Sequence, residues 1–162
     1  MSGTLVTAAT AASAVCAGVA GGVYLAFSAL VMPALRALPA GQGIAAMQRI
    51  NTGAVRLPFM AVFFGGAAAS AALLVAELVA GPTAPGAGNR LAGAGLALAA
   101  FGITIVRNVP LNNELARVPS GVADAAATWT AFDRGWSRAN HVRAATSIAA
   151  AAVLLDSLAR TG

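Results

Sequence analysis

The chain has 162 residues, of which 59% are hydrophobic and only 9% charged, and its mean hydropathy is +0.79. A water-soluble domain carries roughly a quarter charged residues, so this composition excludes a soluble surface and indicates a single-domain integral membrane protein. The net charge of +5 comes from arginines scattered among apolar segments rather than gathered in a dense patch, which argues against a nucleic-acid partner.

Four apolar runs reach the roughly 20 residues that a bilayer crossing needs: 5–32, 57–79, 91–107 and 139–158. The first has no Arg or Lys ahead of it and is far longer than the apolar part of a signal peptide, so it reads as a retained span. Pro33 is predicted to end it. Ala14, Gly18 and Gly22 recur at four-residue spacing and predict a smooth face for close helix approach. Cys16, the sole cysteine, rules out an intramolecular disulfide and reads as a small packing residue.

In the link 34–56, Ile44, Met47, Gln48, Asn51 and Val55 share one helical face, predicting a short amphipathic helix. Its two amides lie on the apolar side, where they either brace backbone or line a site. The second span begins with Pro58 in its first turn. Gly65, Ala69 and Leu73 predict a second ridge, and Glu77 is expected at the interface. A Gly/Pro turn over 80–90 follows. The third span is short, placing Arg107 near the headgroups with Asn108 just beyond. Pro110 is predicted to break the helix, with Asn108, Asn112 and Asn113 satisfying the freed carbonyls. Ser120 is a candidate helix start. From there Trp129, Phe132, Trp136, Asn140, Arg143 and Ser147 lie within about 80° on a helical wheel, and His141 sits roughly 100° off that stripe. The fold class expected is all-α, a membrane-embedded four-helix bundle with short amphipathic helices in the first and third links.

With four spans, the first and third links share one side of the membrane. They hold Arg36, Arg49, Arg56, Arg107, Arg117, Arg134, Arg138 and Arg143, leaving Arg90 and Arg160 on the other. The positive-inside rule then puts both links in the cytoplasm and both termini outside, as expected for a bacterial cytoplasmic membrane. The same face collects the unusual polar side chains, at the mouth of an apolar pocket within the bundle.

The chemistry open to these residues is narrow. One His, one Cys and no close carboxylate pair give no zinc or di-iron ligand set, and His141 alone is a weak haem anchor. No phosphate-binding loop, dinucleotide fingerprint or serine-nucleophile motif is present. What remains is a pocket for a flat, hydrophobic aromatic molecule, with no cofactor and no metal. Arg143, Asn140, His141 and Asn112 are the candidate catalytic residues. Asn51, Arg56, Arg107, Asn108, Trp136, Phe132 and Tyr24 are the candidate substrate-binding residues. Guanidinium and amide donors suit an enolate or phenolate oxygen, aromatic rings suit stacking, and His141 suits the proton.

Four motifs occur in one order: VMPALRALP (Val31 to Pro39), MQRIN (Met47 to Asn51), NVPLNNELA (Asn108 to Ala116), and W–x6–W–x3–N–x2–R (Trp129, Trp136, Asn140, Arg143). In these the chain resembles the anthrone-oxygenase-like family of small four-helix membrane proteins. The resemblance implies oxidation of anthrones to anthraquinones by dioxygen without metal or flavin. Many members carry His where this chain has Asn140, with His141 one position later. Two other readings fit the same sequence. One is a small-molecule or lipid-binding membrane protein without turnover. The other is an accessory subunit whose Gly/Ala faces meet another protein or, in a homo-oligomer, a second copy.

Overall fold

The structure, a computed structural model, describes residues 2–81 and 83–160. Among the described residues it is all-helical: α1 (Gly3–Arg36), α2 (Ala40–Ala54), α3 (Leu57–Ala80), α4 (Ala87–Ala116) and α5 (Ala125–Ala159). All but α2 are long and apolar enough to cross a membrane. These four form an up-down ring in which each packs on its sequence neighbours and α5 closes against α1, while α1 and α4 lie on the diagonal.

Small residues let the helices approach. At Gly93 an added Cβ would lie 2.6 Å from Leu154 Cγ, and at Gly66 it would lie 2.7 Å from Cys16 Cβ. The ridges expected from four-residue spacing are shifted. Ala14 is buried against Leu73, Ala94 and Leu154, but Gly22 and Gly65 face open space. The buried face of α1 runs instead through Ser13, Ala17, Ala20 and Tyr24, because two helices contact it from different directions.

Neither internal proline ends its helix. Phe27–Val31 and Thr104–Asn108 are π turns, in which Met32 N–H bonds Phe27 O and Val109 N–H bonds Thr104 O. In that wider register the next donors would be positions 33 and 110, both proline and both without an N–H. The chain absorbs each proline by inserting one residue into the turn before it. α1 therefore continues to Arg36 and α4 to Ala116, and the break expected at Pro110 does not occur. The short helix expected in the third link is Val109–Ala116, which follows the π turn without a break and so forms the last turns of α4. Asp124, not Ser120, caps α5 by accepting from Ala127 N at 3.1 Å.

α2 is the amphipathic helix expected in the first link, and it closes one end of the bundle. Ile44 and Met47 join Met32, Leu35, Leu115, Trp129, Phe132 and Trp136 in one apolar cluster. Gln48 Nε2 donates to Leu115 O at 2.8 Å and Val118 O at 3.0 Å, so this amide braces the end of α4. At the opposite end Glu77 lies three residues before the end of α3. It is buried and accepts from Arg90 Nε at 2.5 Å, while Arg90 Nη1 donates to Pro85 O.

Candidate functional site

All six residues of the α5 stripe, Trp129, Phe132, Trp136, Asn140, Arg143 and Ser147, are buried. At 1.5 Å per residue, Arg143 lies about 24 Å along α5 from Ala159, near the polar edge of a hydrocarbon core about 30 Å thick. Its guanidinium carbon stands 4.1 Å from the centroid of Tyr24 and 5.1 Å from that of Trp136. Nε donates to Asn140 Oδ1 at 3.0 Å, and Nη1 to Thr104 Oγ1 at 3.4 Å. Among the described residues no carboxylate pairs with it and Nη2 has no hydrogen-bond partner. An arginine inside a membrane helix costs about 3 kcal/mol on insertion scales. Two cation–π contacts of about 1 kcal/mol each and two charge-assisted hydrogen bonds, the one to Thr104 long, offset that cost, but they leave the charge unneutralised.

The two π turns hold this cage from opposite sides. Ser28, in the α1 turn, accepts from Asn140 Nδ2 at 2.8 Å, and the same Nδ2 donates to Tyr24 O at 2.8 Å. Thr104, in the α4 turn, donates its hydroxyl to Ala100 O and turns a lone pair to Arg143. Arginine can only donate, so Asn140 Oδ1 must face it and Nδ2 must face α1. Ser28 Oγ also lies 2.9 Å from His141 Nδ1, joining an exposed imidazole to the buried amide.

A family model described as anthrone oxygenase matches residues 59–153. The chain belongs to the anthrone oxygenase family. No curated protein and no solved structure gives a match. The anthrone oxygenase match spans α3 from Phe59 onward, all of α4 and most of α5. It thus includes Thr104, Asn108, Asn112, Trp136, Asn140, His141 and Arg143, whereas Tyr24 and Ser28 come from α1. Membership points to an oxygenase-like function.

The remaining candidates fall in three places. Asn112 and Asn108 serve Trp136: Asn112 Oδ1 accepts from Trp136 Nε1 at 2.9 Å, and Asn108 Nδ2 donates to Trp136 O at 3.3 Å. Asn112 thus sets the indole that covers Arg143 and does not itself bond to the guanidinium. Asn108 is fully buried with Oδ1 unpartnered, and Asn51 Nδ2 is likewise buried without a partner. Phe132 stacks between Trp129 and Trp136 in the apolar cluster. Arg56 and Arg107 are exposed and stand outside the cage; Arg107 lines a groove between α4 and α5 with Arg134 and Arg138.

Sequence reasoning missed Ser28 and Thr104, which look like ordinary small residues of an apolar run. A usable signal was present. Each lies five or six positions before a proline within a span, where a π turn redirects one side chain.

The cavity beside the cage is small. Tyr24 and Ser147 border about 30 Å³ of space lined mainly by Cys16, Ala20, Phe63 and Phe101. That volume holds a dioxygen- or water-sized guest, not three fused rings. Among the described residues no three His, Cys, Asp or Glu side chains gather as a metal-ligand group.

Proposed function

We propose that the protein is an integral membrane monooxygenase acting on a flat, anthrone-type aromatic molecule dissolved in the bilayer, with Arg143 as the residue that stabilises the substrate's anion. One observation carries this reading: a buried guanidinium without a carboxylate partner, clamped between Tyr24 and Trp136, that keeps Nη2 free. A cation so placed favours whatever negative charge develops beside it, and at low dielectric that preference is large.

The methylene of an anthrone is acidic because its conjugate base is an enolate delocalised over aromatic rings. Nη2–H donates to the enolate oxygen. His141, bonded to Ser28 at the edge of the network, takes the proton out to water. The carbanion carbon passes electrons to dioxygen and a C–O bond forms, giving a hydroperoxide. Loss of water from that carbon leaves the quinone carbonyl. One oxygen atom enters the product and the other leaves as water, with all electrons supplied by the substrate, so no flavin, metal or external reductant enters the balance. The small apolar cavity beyond Tyr24 suits the dioxygen. The aromatic substrate enters by displacing Phe59, which is half-buried with its edge on Tyr24 at 6.4 Å. The arginine-rich end faces the cytoplasm in this reading.

A second reading, anion binding without turnover, is favoured by one observation: His141 is separated from Arg143 by Ser28 and Asn140. Oxygen uptake by the purified protein with a simple anthrone, corrected for autoxidation, separates the two. Uptake that Arg143→Met abolishes in a folded protein supports the monooxygenase. Saturable binding of the anthrone anion without uptake, from mildly acid to mildly alkaline pH, replaces it with the binding role.

A further inference from the structure

We infer that the groove between α4 and α5 at the arginine-rich end binds an anionic phospholipid of the surrounding bilayer. The inference is independent of the oxidation chemistry.

The groove encloses about 650 Å³ and is lined by Arg107 from α4, Arg134 and Arg138 from α5, and by Ile103, Gly135 and Val142. Of the other seven arginines, Arg49, Arg56 and Arg117 are exposed and lie outside the groove, and the remaining four are partnered. Arg36 pairs with Asp133, Arg90 with Glu77, Arg160 with Asp156, and Arg143 lies in its aromatic cage. Arg107, Arg134 and Arg138 have no carboxylate or hydrogen-bond partner among the described residues. Three uncompensated guanidinium groups brought together by two helices repel one another unless an anion lies between them.

Depth selects the anion. At 1.5 Å per residue, Arg107 lies about 30 Å along α4 from Ala87, and Arg138 and Arg134 lie about 32 and 38 Å along α5 from Ala159. A hydrocarbon core about 30 Å thick puts all three at the level of lipid phosphates. Ile103 and Val142, at about 24 and 26 Å by the same measure, lie within the hydrocarbon and offer an apolar wall to acyl chains. Gly135 lines the groove at headgroup depth without a side chain. A guanidinium-lined mouth above an apolar wall complements a phosphodiester with two acyl chains, and arginine matches phosphate oxygens bidentately.

The test is native mass spectrometry of the full-length protein in detergent, with phosphatidylglycerol and phosphatidylcholine at equal concentration. The parent protein should retain phosphatidylglycerol preferentially. Each arginine in contact with the bound headgroup contributes roughly a factor of five toward an anionic lipid. Arg107→Gln, Arg134→Gln and Arg138→Gln together should therefore lower that preference on the order of a hundredfold, and each alone about fivefold. These side chains hold no hydrogen bond or ion pair among the described residues, so helix content and the unfolding midpoint should not move. The combined variant Arg49→Gln, Arg56→Gln and Arg117→Gln removes equal charge elsewhere and should keep the preference. Equal retention of both lipids by the parent overturns the proposal, as does equal loss in the two triple variants. A change in oligomeric mass with lipid adducts unaltered also overturns it, assigning the groove to a protein partner.

Discussion

Asn140 Oδ1 accepts the Nε hydrogen of Arg143 at 3.0 Å, one helical turn away on the same face of α5. That bond fixes the orientation of the Asn140 amide. Its Nδ2 is thereby committed to Tyr24 O and Ser28 Oγ on α1, so one side chain ties the charged residue to the neighbouring helix.

Asn140→Leu should be strongly destabilising although it places a hydrocarbon in a membrane helix. It strands the Arg143 Nε–H, removes the side-chain donor from Ser28 Oγ and leaves Tyr24 O with only its backbone donor, Phe27 N–H. An unsatisfied buried group costs about 1–3 kcal/mol and each lost hydrogen bond about 1 kcal/mol. A loss of about 2–4 kcal/mol is expected in unfolding midpoints measured in mixed micelles. A change below about 0.5 kcal/mol would show that water replaces the amide and that the network is soft.

The π turns predict an asymmetry between two single-residue deletions. A π turn is an α-helix with one residue too many. Deleting exposed Ile105 from Thr104–Asn108 restores α register and keeps the faces of both flanking segments aligned. It should cost at most about 2 kcal/mol, mainly the Thr104 contact with Arg143. Deleting Ala99 instead rotates the two halves of α4 by about 100° relative to each other. It carries Gly93 or Asn108 out of its packing site and should prevent folding. Equal effects in a denaturation or protease-resistance assay would contradict this account of how the prolines are accommodated.

The four spans, the α2 amphipathic helix and the buried stripe from Trp129 to Ser147 were legible because lipid makes apolar length and helical periodicity dominate. The meeting of Asn140, Trp136 and Arg143 follows from that periodicity alone. The continuity of α1 past Pro33 and of α4 past Pro110 was not legible. Proline chemistry forbids one hydrogen bond, but it does not say whether the chain breaks or inserts a residue. The outward direction of Arg107 has the same origin, because it lies inside the π turn where α-helical spacing no longer gives its face. The burial of Glu77 was not legible because its partner, Arg90, lies beyond the turn following α3, and sequence spacing says nothing of pairs formed between helices.

The two inter-helix ion pairs should respond in opposite ways. Arg36 pairs bidentately with Asp133, but its side chain is 44% exposed. A double-mutant cycle there should give about 1 kcal/mol or less, falling with salt. Glu77 and Arg90 are buried. Glu77→Gln leaves an uncompensated cation and should cost about 3–5 kcal/mol, whereas Glu77→Leu with Arg90→Met should come close to neutral. A double variant as damaged as the single one would assign that pair a role beyond charge compensation.

Arg143→Met separates a structural arginine from a functional one. A residue retained for stability loses stability when removed. Arg143 carries a buried charge without a carboxylate, at a cost of about 3 kcal/mol on insertion scales. Methionine removes that cost and fills the space between Tyr24 and Trp136 with a flexible, polarisable chain. It gives up the cation–π contacts and leaves Asn140 Oδ1 unpaired, for about 1–3 kcal/mol. These changes nearly cancel, so the unfolding midpoint should move by about 1 kcal/mol or less, while anthrone-dependent oxygen uptake falls to background. Arg143→Lys keeps the charge but replaces the planar fork with a point charge that cannot hold both Asn140 and Thr104 while presenting a further donor. It should keep anion binding and lose most turnover. If Arg143→Met instead destabilises by as much as Asn140→Leu, the guanidinium is a structural brace, and the site must be sought around the unpartnered Asn108 Oδ1.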